Sequence, residues 1–444
     1  MRFSRKSLLA SAIIVGLTTP MIAQATNGYF MIGYGSKSRA MGGVGIALAQ
    51  DGFAAASNPA TMVDVKGRFD IGGDIFIPKA SIKHNSGLLP ADESSEFDLF
   101  LLPYMGGVWK LNEEMNYGFT FIGAGLGTYF HQHLSSGENY LFRLAENSTE
   151  HASVLLVQMQ ILNSISYKID KQNTVGASLV IGVQSFKAKG LGTFGTLGFT
   201  EATENFTNEG TDWSYGAGFR LGWLGTYMDE ALKVGVNYSS RVYMTEFESY
   251  ENLFAEQGDF DIPENYGVGI AYTATPDITI AFDITHTKYS DVASVANPGP
   301  NPADPENFFP GEPGEFGLLG ANNGMGFGWE DQTVYKLGLE YQYNEKITLR
   351  TGWNYGKSPI PDDQVLFNML APATVEHHFT MGGTYNISET YELSFHYMHA
   401  FKNTITGKTV FWPDGVSSFD DLTEDNGAIS MSQNALGATL GIKF

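Results

Sequence analysis

The feature that most constrains the fold of this chain is an alternation of apolar and polar residues in its C-terminal third. Over residues 391–402 the apolar side chains fall mostly on odd numbers and the polar ones mostly on even numbers, and a similar alternation recurs over 335–343, 346–355 and 436–444. A period of two is typical of β-strands with one apolar and one mostly polar face. Past the N-terminus, no window has the ~18 consecutive apolar residues that a membrane-spanning helix needs. Any crossing of a membrane must therefore use strands.

Fourteen such segments can be counted along the chain. They cover residues 69–84, 98–111, 117–128, 152–169, 174–189, 213–227, 232–247, 265–275, 278–289, 332–343, 347–357, 376–387, 391–403 and 428–444. The connections alternate between short turns, such as 276–277, and long polar loops, of which 290–330 is the longest. Outer-membrane barrels have short periplasmic turns and long extracellular loops. The pattern therefore predicts an all-β fold, a 14-stranded antiparallel transmembrane β-barrel.

Composition limits the classes of function. The chain has 444 residues and no cysteine, which excludes disulfides, cysteine-ligated zinc or iron–sulfur sites and a cysteine nucleophile. Its formal net charge of -22 argues against a nucleic-acid partner, because phosphate binding depends on Lys and Arg. Only 17% of the residues are charged while 13% are aromatic, which suggests that something other than water covers part of the surface.

Residues 1–25 have the pattern of a secretory signal peptide. Arg2, Arg5 and Lys6 precede an apolar run at 8–17, and the segment ends in the small-residue sequence Ala-Gln-Ala. The apolar run is too short to cross a bilayer of ~30 Å as a helix. We therefore predict a cleaved signal peptide and export to the cell outer membrane of a Gram-negative bacterium.

Residues 26–67 are rich in Gly and Ala and show no sustained alternation, so they predict no lipid-facing strand. Fourteen strands enclose a lumen too wide for barrel side chains alone to fill, since filling stops near eight strands. We predict that this segment folds back into the lumen as a plug, or hatch, with Gly33, Gly35 and Gly42 allowing tight turns. A disordered linker is the alternative. The predicted organisation is signal peptide 1–25, hatch 26–67 and barrel 68–444.

Several stretches carry motifs of a known family. They are GYGSKSRAMGGVGIALAQDGFAAASNPA at 33–60, which ends in Asn-Pro-Ala, residues 329–362 and 367–387, and the terminal Phe444. With these features the mature chain resembles the FadL/TodX family of outer-membrane transporters for long-chain fatty acids and other hydrophobic compounds. The resemblance implies a monomer in outer-membrane lipid and lipopolysaccharide, inserted by the barrel assembly machinery through Phe444. It also implies uptake without ATP or covalent chemistry.

The resemblance further implies a route for the ligand. Family members are expected to bind ligand in an apolar internal site and to release it sideways through a gap at a kink in the third strand. That strand contains three glycines here, and glycine inside a strand marks bulges, bends or close approach. The family places the Asn-Pro-Ala turn beside this kink. The predicted gate residues are Asn58, Pro59, Ala60, Gly123, Gly125 and Gly127. Alternatively, the glycines only suit a lumen-facing surface.

Candidate ligand contacts follow from the family and from the ligand's chemistry. The start of the hatch contributes to the internal site in the family, so Tyr29, Phe30 and Met31 are predicted wall residues. A fatty acid also needs a cation for its carboxylate. The candidates at inward-facing positions are Arg220, Lys336 and Arg350. Their alternative role is in lumen salt bridges, for instance Lys336 with Glu340. Long-chain fatty acids are the expected ligands, and aromatic hydrocarbons or alkanes are the alternative.

Other classes of function have less support in the sequence. The histidine pairs at 131/133, 377/378 and 396/399 lack a carboxylate partner at helical spacing, and no G-x-S-x-G motif marks a serine hydrolase. We therefore predict no enzymatic activity, no cofactor and no metal site, although a barrel hydrolase assembled from distant strands stays open. A general diffusion porin would need a wide polar lumen and a constriction loop instead of a Gly-rich plug.

Overall fold

The structure, a computed structural model, describes residues 27–84, 91–130, 151–196, 198–200, 202–300, 317–409 and 427–444. The predicted signal peptide and the histidines at 131 and 133 lie outside these residues. Within this part of the chain, no helix is long and apolar enough to cross a membrane.

Sixteen strands form one sheet that closes on itself, because the last strand pairs with the first from Arg68↔Lys443 to His84↔Gly427. Fourteen of them make the barrel wall: β1 Arg68–His84, β3 Phe100–Lys110, β4 Met115–Phe130, β5 Ala152–Lys168, β6 Asn173–Lys189, β7 Asp212–Tyr227, β8 Leu232–Ser239, β10 Asn265–Thr275, β11 Ile278–Thr287, β12 Gln332–Asn344, β13 Ile347–Gly356, β14 His377–Asn386, β15 Tyr391–Gly407 and β16 Gly427–Lys443. The short strands β2 Ala91–Ser94 and β9 Tyr243–Met244 add to β1 and β7. The predicted 14-stranded antiparallel barrel is confirmed, although the predicted strand 232–247 ends early, at Ser239.

The alternation in the sequence becomes an outer and an inner face of the wall. Along β12 the apolar Leu337 and Leu339 are 50% and 40% exposed, whereas Glu340 lies inside and pairs with Arg350. Apolar side chains also face outward on the wall strands from β5 to β16. Exposing this area to water costs about 25 cal/mol per Å². The outer face therefore suits lipid, as expected for an outer-membrane barrel.

The N-terminal segment, residues 27–67, packs against the inner wall. It contains the short helices Gly35–Ala40 and Ala54–Ser57 and the 3-10 helix Pro59–Asp64. Atoms of this segment lie so close to several inward-facing glycines of the wall that a Cβ on any of these glycines would overlap the segment. These glycines are Gly106, Gly176, Gly222, Gly235, Gly338 and Gly352. Because they come from six strands, the segment crosses the lumen. This position agrees with the predicted plug, while its effect on permeation stays a prediction.

Buried polar contacts fasten the N-terminal segment to the wall. Arg39 forms an ion pair with Asp74, and the Lys37 ammonium lies 2.6 Å from Glu392. Asp283 accepts hydrogen bonds from the backbone N–H groups of Gly45 (2.7 Å) and Ile46 (3.0 Å). Burial lowers the pKa of Lys37 from its ordinary value. Removing one member of a buried pair typically costs about 3–5 kcal/mol, so these contacts hold the segment firmly.

Candidate functional site

The barrel interior is divided into two halves of opposite polarity. Toward the long loops, the inward side chains of β5 are Ala152, Val154 and Leu156, all buried. The next two inward positions toward the short turns are Gln158 and Gln160. β1 changes in the same way. The buried Asp70 and Asp74 lie toward the short turns, and the buried Phe76, Ala80 and Ile82 lie toward the long loops. The extracellular half is therefore apolar, and the periplasmic half is mostly polar and holds the N-terminal segment.

The apolar half contains a large cluster of aromatic side chains that includes the start of the N-terminal segment. The ring centroid of Tyr29 lies 5.0 Å from that of Phe30, 5.5 Å from Tyr289 and 5.7 Å from Trp329. Among the described residues the Tyr29 hydroxyl has no hydrogen-bond partner. Burial raises the pKa of Tyr29 well above its ordinary value, so this hydroxyl stays neutral.

An apolar cavity, here called the outer pocket, lies within this half. Val154 and Phe186 from the wall and Phe194, Phe367 and Leu370 from the long connections contribute to its lining. Among the described residues of its lining, Ser294 is the one with a polar side chain, and none is charged. An apolar lining of this kind is typical of sites for small hydrophobic molecules.

A second and polar cavity of about 610 Å³, here called the polar chamber, lies between the N-terminal segment and strands β7 to β12. Phe30, Met31, Arg220, Asp283 and Lys336 are among its lining residues. Within the described residues the Lys336 ammonium has no hydrogen bond or ion pair, whereas Arg220 donates to the carbonyl of Ala56. Such a chamber suits water or a charged group better than a hydrocarbon, because unpaired polar groups there would lose their solvation.

The three predicted cations do not form one site. Arg220 and Lys336 line the polar chamber, whereas Arg350 lines a different cavity at the periplasmic end. The predicted salt bridge between Lys336 and Glu340 is wrong: Arg350 lies 2.7 Å from Glu340. The strand register explains this, because Glu340 is directly opposite Arg350 while Lys336 is opposite Asp283.

The predicted wall residues also separate. Tyr29 lies in the aromatic cluster of the apolar half, and Phe30 packs against the same cluster while lining the polar chamber. Met31 also lines the polar chamber and packs with Ile32, Phe76 and Phe100. Gly28 and Tyr29 form a turn that is closed by hydrogen bonds between Asn27 and Phe30, so the side chains on either side of it do not share one direction. Their contact with a ligand stays a prediction.

The barrel wall is interrupted between β3 and β4. Their ladder starts at Lys110↔Asn116 and stops at Met105↔Phe121, although β3 continues to pair with β1 as far as Phe100. Pro103 lies on β3 within the unpaired stretch next to Met105, and proline has no N–H to donate. At the extracellular end, the interruption is bounded by a hydrogen bond from the Glu96 N–H to the Tyr129 carbonyl (2.8 Å). We call this stretch, residues 122–128 of β4 opposite 100–104 of β3, the wall opening.

β4 turns toward the N-terminal segment at the wall opening. Gly125 has a φ of +147°, which other residues rarely adopt, and its N–H donates to the carbonyl of Tyr29 at 3.4 Å. A Cβ on Gly125 would overlap the carbonyl of Leu156 on the neighbouring strand. Gly123 and Gly127 flank this irregular position. Of the three predicted glycines, Gly125 is therefore the one whose backbone requires glycine.

The Asn-Pro-Ala motif lies far from this kink, so the prediction that the two are adjacent is wrong. Asn58 caps the 3-10 helix by accepting from the Ala60 N–H (3.0 Å), and Pro59 begins that helix. The Asn58 amide also donates to the carbonyl of Trp223 on β7 (3.0 Å). Ala60 lies against Gly176, at the register level of Asn116 on β4. Asn116 and Gly123 both lie on β4, and at ~3.3 Å per residue they are roughly 23 Å apart along that strand.

A polar clasp joins the long connections around the apolar half. Arg241 forms ion pairs with Asp261 and with Asp259 (3.2 Å), and it donates to the carbonyl of Asp291 (2.5 Å). Burial and the neighbouring Asp261 carboxylate raise the pKa of Asp259 to about 7. Sequence patterns gave no signal for this clasp, because its partners lie in connections without periodicity. Among the described residues, no group of three His, Asp or Glu side chains is arranged to hold a metal ion.

Comparisons with known proteins agree with this architecture. A model of the family described as outer membrane protein transport protein (OMPP1/FadL/TodX) matches residues 21–433. The structure of the toluene transporter TodX from Pseudomonas putida is similar with a TM-score of 0.67 at 18% identity, over 94% of this chain and 100% of that one. The toluene transporter TbuX from Ralstonia pickettii gives a TM-score of 0.62 at 17% identity, over 93% and 99% of the two chains.

A FadL homologue from Pseudomonas aeruginosa gives a TM-score of 0.66 at 13% identity, over 94% of this chain and 100% of that one. At such identities the structural likeness shows the fold alone. The comparison with curated proteins finds no match.

Proposed function

The chain belongs to the outer membrane protein transport protein family of OMPP1, FadL and TodX, and we propose that it takes up neutral hydrophobic compounds through the wall opening. Ligand enters the outer pocket from the extracellular side and leaves sideways between β3 and β4. One observation carries this proposal: the apolar half of the lumen ends at the height of Gly125, where the wall ladder is also interrupted.

The energetics favour a lateral exit over a straight passage. An apolar molecule in the outer pocket is stabilised by about 25 cal/mol per Å² of area removed from water. Continuing toward the periplasm would bring it among Gln158, Gln160, Asp74 and the N-terminal segment. It would then displace buried hydrogen-bonded groups without replacing their bonds. Leaving through the wall keeps the ligand in apolar surroundings, first protein and then lipid.

The position of the cations favours neutral ligands. No charged side chain of the described residues lines the outer pocket, and Lys336 lies in the separate polar chamber. Two of the structural relatives are named as toluene transporters, which is consistent with this choice. Long-chain fatty acids, the class expected from the sequence, remain the second candidate because the Lys336 ammonium faces the chamber without a partner among the described residues.

Replacing Lys336 with methionine separates these two candidates. We expect the Lys336→Met variant to take up labelled toluene at the wild-type rate, because its side chain lies outside the outer pocket. If a carboxylate is bound by this ammonium, uptake of labelled oleate falls about tenfold or more, since a charge-assisted hydrogen bond is worth ~1.5–3 kcal/mol. The measurement is uptake by cells that express the variant and lack other transporters of this family.

The matched control is Lys357→Met, which removes an exposed lysine just beyond the C-terminal end of the neighbouring strand β13. Wild-type uptake of oleate without toluene, together with its loss in Lys336→Met alone, would contradict the proposal of neutral ligands and establish the fatty-acid alternative.

A further inference from the structure

The connection between β13 and β14 enters the barrel instead of covering it. After the short helix Val365–Asn368, the residues Met369, Leu370, Ala371 and Ala373 are all buried. We call residues 369–373 the partition. Connections normally run over the surface because their backbone groups need hydrogen bonds. A buried one in the middle of the apolar half therefore calls for a functional reason.

The partition separates two apolar cavities. On one side is the outer pocket, which Leu370 lines. On the other side is a narrow apolar gap, here called the inner pocket, which has room for about one water molecule and which Ala371 and Ala373 line. The opposite wall of the inner pocket is formed by Leu126, Gly127 and Thr128 of β4. These three residues belong to the wall opening, so the inner pocket lies directly at the proposed exit.

The ends of the partition are fastened more strongly than its middle. At one end the Asn368 amide donates to the Phe327 carbonyl (2.6 Å) and accepts from the Trp329 indole N–H (2.6 Å). At the other end Thr374 and Asn403 exchange two hydrogen bonds of 3.0 and 2.8 Å. Between them, within the part of the chain that the structure describes, one hydrogen bond joins the partition to a wall strand, from the Thr128 hydroxyl to the Leu370 carbonyl (2.5 Å). Nearer the second end, the Ser358 hydroxyl donates to the Ala373 carbonyl (3.0 Å). A segment held in this way can move at its centre while its ends stay in place.

We propose that the partition is an internal gate and that, when it moves, the inner pocket widens into a passage for one neutral, ring-sized hydrocarbon on its way to the wall opening. This inference rests on the proposed function. Moving the centre of the partition breaks the neutral hydrogen bond between Thr128 and Leu370 and joins the two apolar cavities. The alternative route through the polar chamber requires displacing the N-terminal segment, which buried ion pairs hold. The partition route also disfavours carboxylates, because neither apolar pocket is lined by a cation from the residues that the structure describes.

Filling the inner pocket tests the gate. In Ala371→Phe the larger side chain prevents the inner pocket from widening, so we expect toluene uptake to fall about tenfold or more. Retention of labelled toluene by the protein in nanodiscs should stay within about twofold of wild type, because the outer pocket is unchanged. Thr285→Phe is the matched control, since it places the same ring in the polar chamber. It should leave both quantities unchanged. Heat-modifiable migration in gels verifies folding. If the phenylalanine prevents folding, Ala371→Leu replaces Ala371→Phe in the same test.

Removing the tether is the second test. Thr128→Val loses the hydrogen bond to Leu370 at nearly constant volume. The rate of toluene uptake should then rise, or the delay before uptake begins should disappear, whereas Thr128→Ser should behave as wild type. Unchanged uptake in Ala371→Phe with lost uptake in Thr285→Phe would overturn the inference and route the ligand through the polar chamber. If wild type itself neither retains nor takes up toluene, the proposed function fails, which is a distinct result.

Discussion

Closing the wall opening is expected to abolish uptake while leaving ligand binding in place. In the double variant Pro103→Val with Gly125→Val, β3 regains an N–H and β4 can no longer adopt a φ of +147°. The regular conformation that valine prefers would bring β4 into register with β3 beyond Met105↔Phe121. Toluene uptake should then fall to background, a loss of about tenfold or more, because the ligand has no other apolar exit.

The matched control is Pro78→Val, which changes a proline in β1 where pairing with β16 is continuous. It should take up toluene at the wild-type rate. Retention of toluene in nanodiscs separates exit from binding, and heat-modifiable migration verifies that each barrel has formed. Normal uptake in a folded double variant would mean that ligand does not leave between β3 and β4.

Deleting residues 28–52 is expected to turn the protein into an open pore for small polar solutes. The inner wall that this deletion uncovers carries Asp70, Asp74, Asp283, Arg350 and Glu392, all inward and buried in the intact chain. A lumen of fourteen strands is too wide for its own side chains to close. Once the segment is removed, water enters this charged half, and stepwise single-channel currents should appear in planar bilayers where wild type gives none.

A weaker version of the same test keeps the chain intact. Arg39→Gln removes the ion pair with Asp74 and should produce brief openings, whereas Lys83→Gln, in an exposed pair with Asp92, should not. A silent bilayer with the folded deletion variant would contradict the plug assigned to the N-terminal segment.

Much of the barrel follows from local sequence pattern, and the site follows from it only in part. Strands such as β12 and β16 are predictable because a lipid-facing side chain at every second position leaves a period of two. The change of polarity inside the barrel can also be seen in the sequence of β1. Asp70 and Asp74 are followed by Phe76 and Ile82, and all four are at even-numbered positions that face the lumen. Pro103 is a further signal, since proline inside a strand favours an unpaired edge.

Contacts between distant elements are what the sequence does not reveal. The pairing of Glu340 with Arg350 depends on register across β12 and β13, and several choices of register place charges on the inner face. The distance between Ala60 and Gly123 depends on how far the N-terminal segment reaches into the lumen. The partition cannot be predicted from the sequence, because a buried connection has no periodicity that distinguishes it from a surface loop.

The most direct test of the account is uptake of labelled toluene and of a labelled small sugar by cells that express the wild-type protein and lack related transporters. We expect saturable entry of toluene and no entry of the sugar, since the apolar half binds the hydrocarbon and the N-terminal segment closes the polar half. Entry of the sugar without toluene would show a polar diffusion channel and would contradict both the hydrophobic route and the plug.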